Sequence, residues 1–418
     1  MSQKSLTPRI RFKGFADAWE QRELGMEGTT FTGLSGKTKE DFGHGDARFI
    51  TYMNVFKNPI SDPTMVEPIE VDNSQKEIEY GDIFFTTSSE TPEEVGMSSI
   101  YIENPIKTYL NSFCFGYRLN EVNKYDLRFL AYSFRADSFR KNMVLLAQGI
   151  SRYNISKNKV MEINICVPKF KEEQSKVGDF LVKVDNIITL HQRKLDKLVQ
   201  LKSSFLEKMF PTNGCNKPQI RFKGFSDAWE QRKLGDITSS YSGGTPLASN
   251  KDFYIGEIPF IRSGEISQNE TELYINEKAL NFSSAKMVHK GDILYALYGA
   301  TSGEVAISSI DGAINQAILA IIPKREYNSY FMMYWLRREK SNIISTYLQG
   351  GQGNLSGTII KSLDFCFPNN NEQRCIGELL CKIDICITLH QREQSDRRTL
   401  ICKKIIKKSF FIAILRDG

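Results

Sequence analysis

The sequence has 418 residues, 41% of them hydrophobic and 25% charged, and a formal net charge of +6. This length predicts two or more domains, and the composition is ordinary for a globular protein. No apolar run approaches the ~18–20 residues of a membrane-spanning helix, and the first residues hold no apolar signal-peptide core. We therefore expect a cytoplasmic protein without a membrane partner, whose weak positive charge permits a polyanionic ligand without demanding one.

The first predicted element is a peptide that the chain repeats half a protein later. Residues 11–22 read RFKGFADAWEQR and residues 221–232 read RFKGFSDAWEQR, which differ at one position. A Gly-Asp pair recurs at the same offset of 210, at Gly81 and Gly291, whereas ITLHQR recurs from Ile188 and Ile387, 199 residues apart. An internal repeat of this length predicts two halves of the same build, with 11 extra residues in loops of the first half.

Within each half, the segments after the Gly-Asp pair favour β-strands. GDIFFTT and GDILYALYG place β-branched and aromatic residues directly after a turn. Asp311-Gly312 between two apolar runs predicts a β-hairpin. NSYFMMYWLRREKSNIISTYL has apolar residues three and four apart, which predicts a helix.

The segment between Pro168 and Pro211 has a different pattern. Its apolar residues follow alternating steps of four and three from Val177 to Met209, which predicts a helix of about 50 Å with a narrow seam that needs a partner helix. The second half repeats this spacing before its sequence departs beyond residue 393. The positions that we expect to pair the helices are Val177, Leu181, Val184, Ile188, His191, Leu195 and Leu198 in the first, and Ile376, Leu380, Ile383, Ile387 and His390 in the second.

Two like heads joined by paired helices form a dimer within one chain. Such a molecule suits a ligand with two sites at a fixed separation, as duplex DNA presents, although a scaffold between two proteins has the same shape requirement. His191 and His390 occupy the same seam step, which we interpret as a polar position that fixes register. Eight cysteines without a CxxC pair and four histidines give no metal-ligand spacing, so we expect no metal site.

The repeated FKGF.DAWEQR peptide, the GDI strand and the EQ..IG..L.K.D..ITLHQR helix together resemble the specificity subunit of type I restriction–modification systems. The resemblance covers nearly the whole chain. It implies an α+β fold in which two mixed α/β target recognition domains are separated by two long antiparallel coiled-coil helices, as a pseudo-two-fold repeat. The expected boundaries are residues 1–168 and 213–367 for the recognition domains, 169–212 for the central helix and 368–418 for the distal helix.

The resemblance also implies the function and the partners. Each recognition domain would read one half of a bipartite, asymmetric double-stranded DNA target, and the helices would set the spacer length and dock two methyltransferase subunits. Two restriction subunits would complete the complex. The chain itself would be non-catalytic and hold no cofactor, since S-adenosylmethionine, ATP and Mg²⁺ would bind the partner subunits.

Motifs for catalysis are incomplete. FTGLSGKTKE resembles a phosphate-binding loop, but Phe31 stands where the first glycine is needed. Asn58-Pro59 and Asn104-Pro105 lack the second proline of an adenine methyltransferase motif. These gaps disfavour a fused methyltransferase. A two-headed adaptor that binds proteins stays open as the alternative to a DNA reader.

Base readout needs polar side chains aimed at base edges, and we expect them in the loops beside matched strands, where the two halves differ most. In the first half the candidates are Thr51, Tyr52, Ser88, Gln148, Ser151, Arg152 and Tyr153. In the second half they are Arg262, Ser263, Tyr298, Thr301, Ser302, Gln349, Gln352 and Asn354. The glycines around Gln352 would allow close approach of the backbone to a phosphate.

Overall fold

A computed structural model describes residues 7–8, 10–104, 106–212, 215–348 and 354–414, with side chains described up to Arg392. The chain forms two compact units. One comprises residues through Leu190 and from Thr399 onward, and the other comprises His191–Arg398. Each of the two longest helices contributes residues to both units.

The first unit is mainly β, with short helices between its strands. Its strands are β1 (Glu20–Glu23), β2 (Gly28–Thr32), β3 (Phe42–Ile50), β4 (Val66–Ile69), β5 (Ile83–Thr86), β6 (Ser88–Ser89), β7 (Ser98–Ile100), β8 (Thr108–Leu110), β9 (Cys114–Leu119), β10 (Tyr153–Asn154) and β11 (Asn164–Val167). Its helices are α1 (Leu24–Glu27), α2 (Tyr52–Lys57), α3 (Leu127–Ser133), α4 (Asp137–Leu146), α5 (Lys157–Met161) and the start of α6 (Lys171–Lys208).

The second unit repeats this arrangement. Its strands are β12 (Glu230–Lys233), β13 (Thr238–Ser242), β14 (Ile258–Ile261), β15 (Tyr274–Ile275), β16 (Lys286–Val288), β17 (Ile293–Ala296), β18 (Val305–Ile307), β19 (Gly312–Ile314), β20 (Ile318–Pro323) and β21 (Asp364–Phe367). Its helices are α7 (Leu234–Ile237), α8 (Glu277–Asn281), α9 (Ser329–Tyr347), α10 (Gly357–Ser362) and most of α11 (Asn370–Ile414).

Corresponding strands form corresponding sheets in the two units. The order β2-β9-β5-β7 in the first unit matches β13-β20-β17-β18 in the second, and both sheets are antiparallel throughout. A second sheet in each unit contains one parallel pair, β3 with β8 and β14 with β19. The mixed α/β content and the duplication predicted from the sequence therefore agree with the structure.

The Gly-Asp turn that introduces β5 and β17 has a clear physical basis. Gly81 and Gly291 adopt positive φ angles of 88° and 102°, which glycine tolerates at no steric cost. The next residue closes the turn, because Asp82 accepts a hydrogen bond from the Glu79 backbone N–H at 2.7 Å. Asp292 does the same for the backbone N–H of His289 at 2.8 Å. All four residues of each following strand are buried, as the apolar runs predict.

The predicted hairpin at Asp311-Gly312 is wrong. β18 and β19 flank this turn but belong to different sheets: β18 pairs with β17, whereas β19 pairs with β14 and β16. Asp311 accepts a hydrogen bond from the Lys290 backbone N–H at 2.8 Å, so the turn is anchored to the loop before β17. The chain therefore crosses between sheets at a position where local turn chemistry alone predicts a reversal.

The long helix between Pro168 and Pro211 is confirmed. It begins at Lys171, six residues before the predicted seam, and its 38 residues span about 57 Å. The helix predicted from NSYFMMYWLRREKSNIISTYL is also confirmed as α9. Among the helices of the described residues, none has a stretch both long and apolar enough to cross a membrane.

The repeated dodecapeptide packs on the first turns of the long helix of its own unit. Arg11 forms two hydrogen bonds to the fully buried Glu173 carboxylate, at 2.6 and 2.8 Å. Phe12 meets Phe180 edge to face, with ring centroids 6.1 Å apart. In the second unit Arg221 binds Glu372 in the same way, with both distances 2.7 Å. The peptide thus recurs because each unit docks its start onto a helix.

The packing of each dodecapeptide on the start of its long helix forms a joint. A glutamine beside each buried carboxylate adds further hydrogen bonds to this joint. Gln174 donates to the Pro168 carbonyl at 3.0 Å and accepts from the Asp126 backbone N–H at 2.9 Å. Gln373 makes the matching bonds to the Pro368 carbonyl and from the Asn328 backbone N–H, at 2.8 and 2.9 Å. Asp126 and Asn328 cap the N-termini of α3 and α9, so the joint also positions these helices.

Candidate nucleic-acid interface

Four of the residues predicted to read DNA in the first unit line one cleft of about 540 Å³. They are Tyr52, Ser88, Ser151 and Arg152, which come from the start of α2, from β6 and from the loop before β10. The pairing of β10 with β6 brings these segments together, although they are far apart in sequence. The structure therefore brings together loops whose residues were predicted separately from the sequence.

The floor of the cleft is formed by aromatic rings and by the backbone of β6. The Tyr52 hydroxyl donates to the Ser88 carbonyl at 2.8 Å, and its ring stacks on Phe56 with centroids 6.0 Å apart. Burial raises the pKa of Tyr52, which keeps the hydroxyl protonated as a donor. Ser88 is only 5% exposed, so little of its surface is accessible to a ligand.

The remaining candidates of the first unit have structural contacts around this cleft. Thr51 caps α2 by accepting from the Asn54 backbone N–H at 3.2 Å. Tyr153 pairs with Ser89 in the β10–β6 ladder. Gln148 is exposed, and its backbone exchanges two hydrogen bonds with Asn154, at 2.9 and 2.8 Å. These residues fix the loop that carries Ser151 and Arg152.

Gly149 is required for this loop conformation. Its φ is +143°, and a Cβ placed on it would lie 2.0 Å from the Arg152 carbonyl oxygen. The loop end is fixed as well, because Ile155 donates its backbone N–H to the Thr87 carbonyl at 3.0 Å. The 148–154 loop is therefore a closed turn attached to the end of β5.

Other residues of the cleft were missed by the sequence analysis. They are Met53, Phe56, Ser89, Glu90, Glu94 and Phe113. A local signal existed for Phe113, since it follows Asn111 by two residues and the Asn111 side chain accepts from its backbone N–H at 2.8 Å. Asn side chains often accept a hydrogen bond from the backbone two residues on, which indicates a turn at this position but does not place the Phe113 ring.

Arg262 of the second unit is engaged in ion pairs. Its guanidinium contacts Glu265 at 2.8 and 3.1 Å and Glu272 at 2.5 Å. The hydrogen bond from Arg262 lowers the pKa of Glu265 to about 2, with further bonds from backbone N–H groups and Thr271. Ser263 starts a short 3-10 turn directly after Arg262 and is half-buried. Acidic partners thus engage the Nε and Nη2 donors of Arg262.

The other candidates of the second unit lie around the end of β17. Tyr298 packs against the main core, Thr301 is half-buried, and the Ser302 hydroxyl donates to the Leu297 carbonyl at 3.1 Å. Asn354 is exposed, and the next residue, Leu355, donates its backbone N–H to the same Leu297 carbonyl at 3.0 Å. This bond is the counterpart of Ile155 to Thr87. Gln349 and Gln352 lie outside the described residues.

The predicted seam residues divide between globular cores and helix contacts. Val177 packs against the core of the first unit, whereas Ile376 and Leu380 belong to the core of the second. Leu195 and Ile383 are 8% and 6% exposed. Leu181, Val184, His191, Leu198, Ile387 and His390 are partly exposed, and Ile188 is 51% exposed. The residues at the heptad spacing therefore range from buried in a globular core to about half exposed.

Within the second unit, α6 and α11 contact each other directly. The rings of His191 and His390 lie 6.2 Å apart. Lys202 forms an ion pair of 2.6 Å with Asp384. Lys202 lies eleven residues after His191 in α6, whereas Asp384 lies six residues before His390 in α11. The Asp384 carboxylate also accepts from the Tyr334 hydroxyl at 2.8 Å, which ties this helix pair to α9. The two contacts run in opposite directions along the helices.

Within the described residues, no group of three His, Cys, Asp or Glu side chains is arranged to hold a metal ion. The cleft of the first unit is lined by polar side chains, aromatic rings and charged groups. Polar and charged side chains of this kind can form hydrogen bonds to base edges.

Comparison with known proteins points to one family. Residues 17–200 and 226–396 each match the type I restriction modification DNA specificity domain. A putative type I restriction enzyme MjaX specificity subunit from Methanocaldococcus jannaschii is 24% identical over 390 residues, which cover 90% of this chain and 89% of that protein. The MjaIX specificity subunit of the same organism is 28% identical over 193 residues, 44% of either protein.

Among solved structures, a type I restriction–modification S subunit from M. genitalium has a TM-score of 0.63 at 16% identity. The match covers 96% of this chain and 98% of that one. It shows that the fold is shared along nearly the whole length.

Proposed function

Because the chain belongs to the type I restriction–modification DNA specificity family, we propose that it reads one bipartite DNA sequence, each unit recognising one half. The observation that carries this proposal is the double match to the specificity domain, once in each half of the chain. The two-headed protein adaptor, which the sequence alone left open, is not favoured by this match. The recognition domains would be residues 1–168 and 213–367.

The long helices would act as an antiparallel coiled coil that sets the length of the unread spacer, formed by residues 169–212 and 368–418. The opposite order of the His191–His390 and Lys202–Asp384 contacts supports an antiparallel pair. The same helices would dock two methyltransferase subunits, and two restriction subunits would join for cleavage. S-adenosylmethionine, ATP and Mg²⁺ would bind those partners, while this chain has no catalytic role and stays in the cytoplasm.

Deleting the chain from its host tests this function. Sequencing that detects methylated adenine should find a bipartite motif in the native strain, and this methylation should disappear in the deletion strain and return when the chain is restored. An unchanged methylation pattern would contradict the proposal. The purified chain should also transfer no methyl group from S-adenosylmethionine to DNA, and turnover by the chain alone would contradict its non-catalytic role.

A further inference from the structure

Phe113 is an exposed aromatic residue on a rigid backbone. It is 54% exposed at the rim of the first unit's cleft. Its carbonyl accepts from both the backbone N–H and the hydroxyl of Thr87, at 2.9 and 2.8 Å, and its N–H is bound by Asn111 at 2.8 Å. An apolar ring held outward by three hydrogen bonds does not serve the core, and rigid placement favours binding because little conformational entropy is lost.

Arg152 completes a pair with this ring. Its guanidinium carbon lies 5.9 Å from the Phe113 centroid, and the loop that carries it is closed by the Gln148–Asn154 bridge. Among the described residues, no carboxylate forms an ion pair with Arg152 and no acceptor takes a hydrogen bond from its side chain. Among the described residues the N–H donors of Arg152 are therefore unpaired, whereas Nε and Nη2 of Arg262 bind two glutamates.

The charges of the cleft distinguish between a phosphate and a base as that ligand. Glu90 and Glu94 line the same cleft as Arg152, and both are exposed. Two carboxylates beside one guanidinium repel a phosphate, whereas a base edge carries no net charge for them to repel. A carboxylate also accepts a hydrogen bond from the amino group of cytosine. The cleft is therefore better suited to base edges than to the DNA backbone.

We propose that Arg152 and Phe113 together are the base-reading element of the first unit. Arg152 donates two hydrogen bonds to a guanine, and Phe113 packs on the methyl group of an adjacent thymine. Gly149 is a positioning residue, since only glycine allows the loop turn that places Arg152 over the ring. This inference rests on the proposed function. It adds that one half of the target contains a G·C pair next to a T·A pair.

The test replaces the chain in its host by R152A, R152K and F113A variants and maps methylated adenines. R152A should lose the preference for the G·C pair in one half of the motif, and R152K should weaken this preference, because lysine lacks the rigid planar fork with which arginine matches O6 and N7. F113A should lose the preference for the adjacent T·A pair in that half. In competition binding by the purified native chain, replacing the G·C pair should weaken binding by about 5- to 150-fold, and R152A should abolish this difference.

F170A is the matched control. Phe170 is 43% exposed and lies under Lys169 at 5.7 Å, so it forms a similar cation–π pair outside the cleft. This variant should keep the native motif. Equal weakening of all duplexes by R152A would identify a phosphate contact and overturn the proposal, as would an unchanged motif in folded variants. A native chain without any bipartite motif would overturn the proposed function as well, which separates the two failures.

Discussion

At the scale of single residues, charged side chains in this protein serve structure at some positions and remain free at others. Glu173 and Glu372 are fully buried, yet each is bound by an arginine fork that matches the carboxylate geometry. Arg262 is likewise bound by acidic neighbours, whereas Arg152 has only an aromatic contact among the described residues. Sequence reasoning selected both arginines as DNA contacts, because the partners that distinguish them are set by folding.

Replacing Arg221 by leucine should destabilise the second unit. The substitution leaves the Glu372 carboxylate buried without its two hydrogen bonds, which costs roughly 3–5 kcal/mol of unfolding free energy. Urea unfolding followed by tryptophan fluorescence measures the change, since Trp229 and Trp335 lie in that core. Arg232→Leu is the control, because its ion pair with Glu230 is exposed and should change stability little. Equal effects of both variants would contradict this role of Arg221.

Glu265 should make the second unit acid-sensitive. Its pKa is about 2 in the folded chain against an ordinary value of 4.5, so the ionised form contributes stability above about pH 4.5 that is lost as the pH falls toward 2. The Glu265→Gln variant should therefore show a shallower loss of unfolding free energy between about pH 6 and about pH 3. Urea titrations at both pH values test this. Glu272→Gln, at an exposed partner of Arg262, should keep the native slope.

At the scale of elements, periodicity predicted more than turn signals did. The four-three spacing from Val177 gave α6 correctly because a continuous helix depends on contacts along one stripe. The hairpin prediction at Asp311-Gly312 was wrong because β19 pairs in parallel with β14, about fifty residues earlier in the chain. The contact between Phe113 and Arg152 could not be predicted for a similar reason, since Arg152 comes from a distant loop. Local patterns therefore predicted the elements, and nonlocal pairing assembled the cleft.

A charge at Leu195 should disrupt the packing of α6 within the second unit. Leu195 is 8% exposed, so aspartate there would be buried without a partner and lower local stability by more than about 2 kcal/mol. Hydrogen exchange of residues 191–208 should accelerate, whereas the rest of the second unit stays protected. Val199→Asp is the control on the same helix, because Val199 is 45% exposed. Simultaneous loss of protection throughout the unit would show that Leu195 belongs to the globular core.

At the scale of the whole molecule, the net charge of +6 is modest for a DNA-binding chain of this length. Nonspecific affinity for duplex DNA nevertheless arises from cations that displace counterions from phosphates. We expect binding of the full chain to weaken at least about tenfold between ~50 and ~200 mM salt, with the preference for the bipartite target retained. Competition binding at both salt concentrations tests this. Salt-independent association would instead favour the protein-adaptor alternative.

The joint at the start of each long helix links several distant parts of the sequence. Glu173 and Gln174 hold the opening peptide, the cap of α3 and the Pro168 carbonyl at once, and Glu372 and Gln373 repeat this in the second unit. A helix anchored in this way cannot fray at its N-terminus without also releasing its globular neighbour. The start of each long helix and its globular unit should therefore unfold together in one cooperative transition. We also expect proteases to cleave slowly between them.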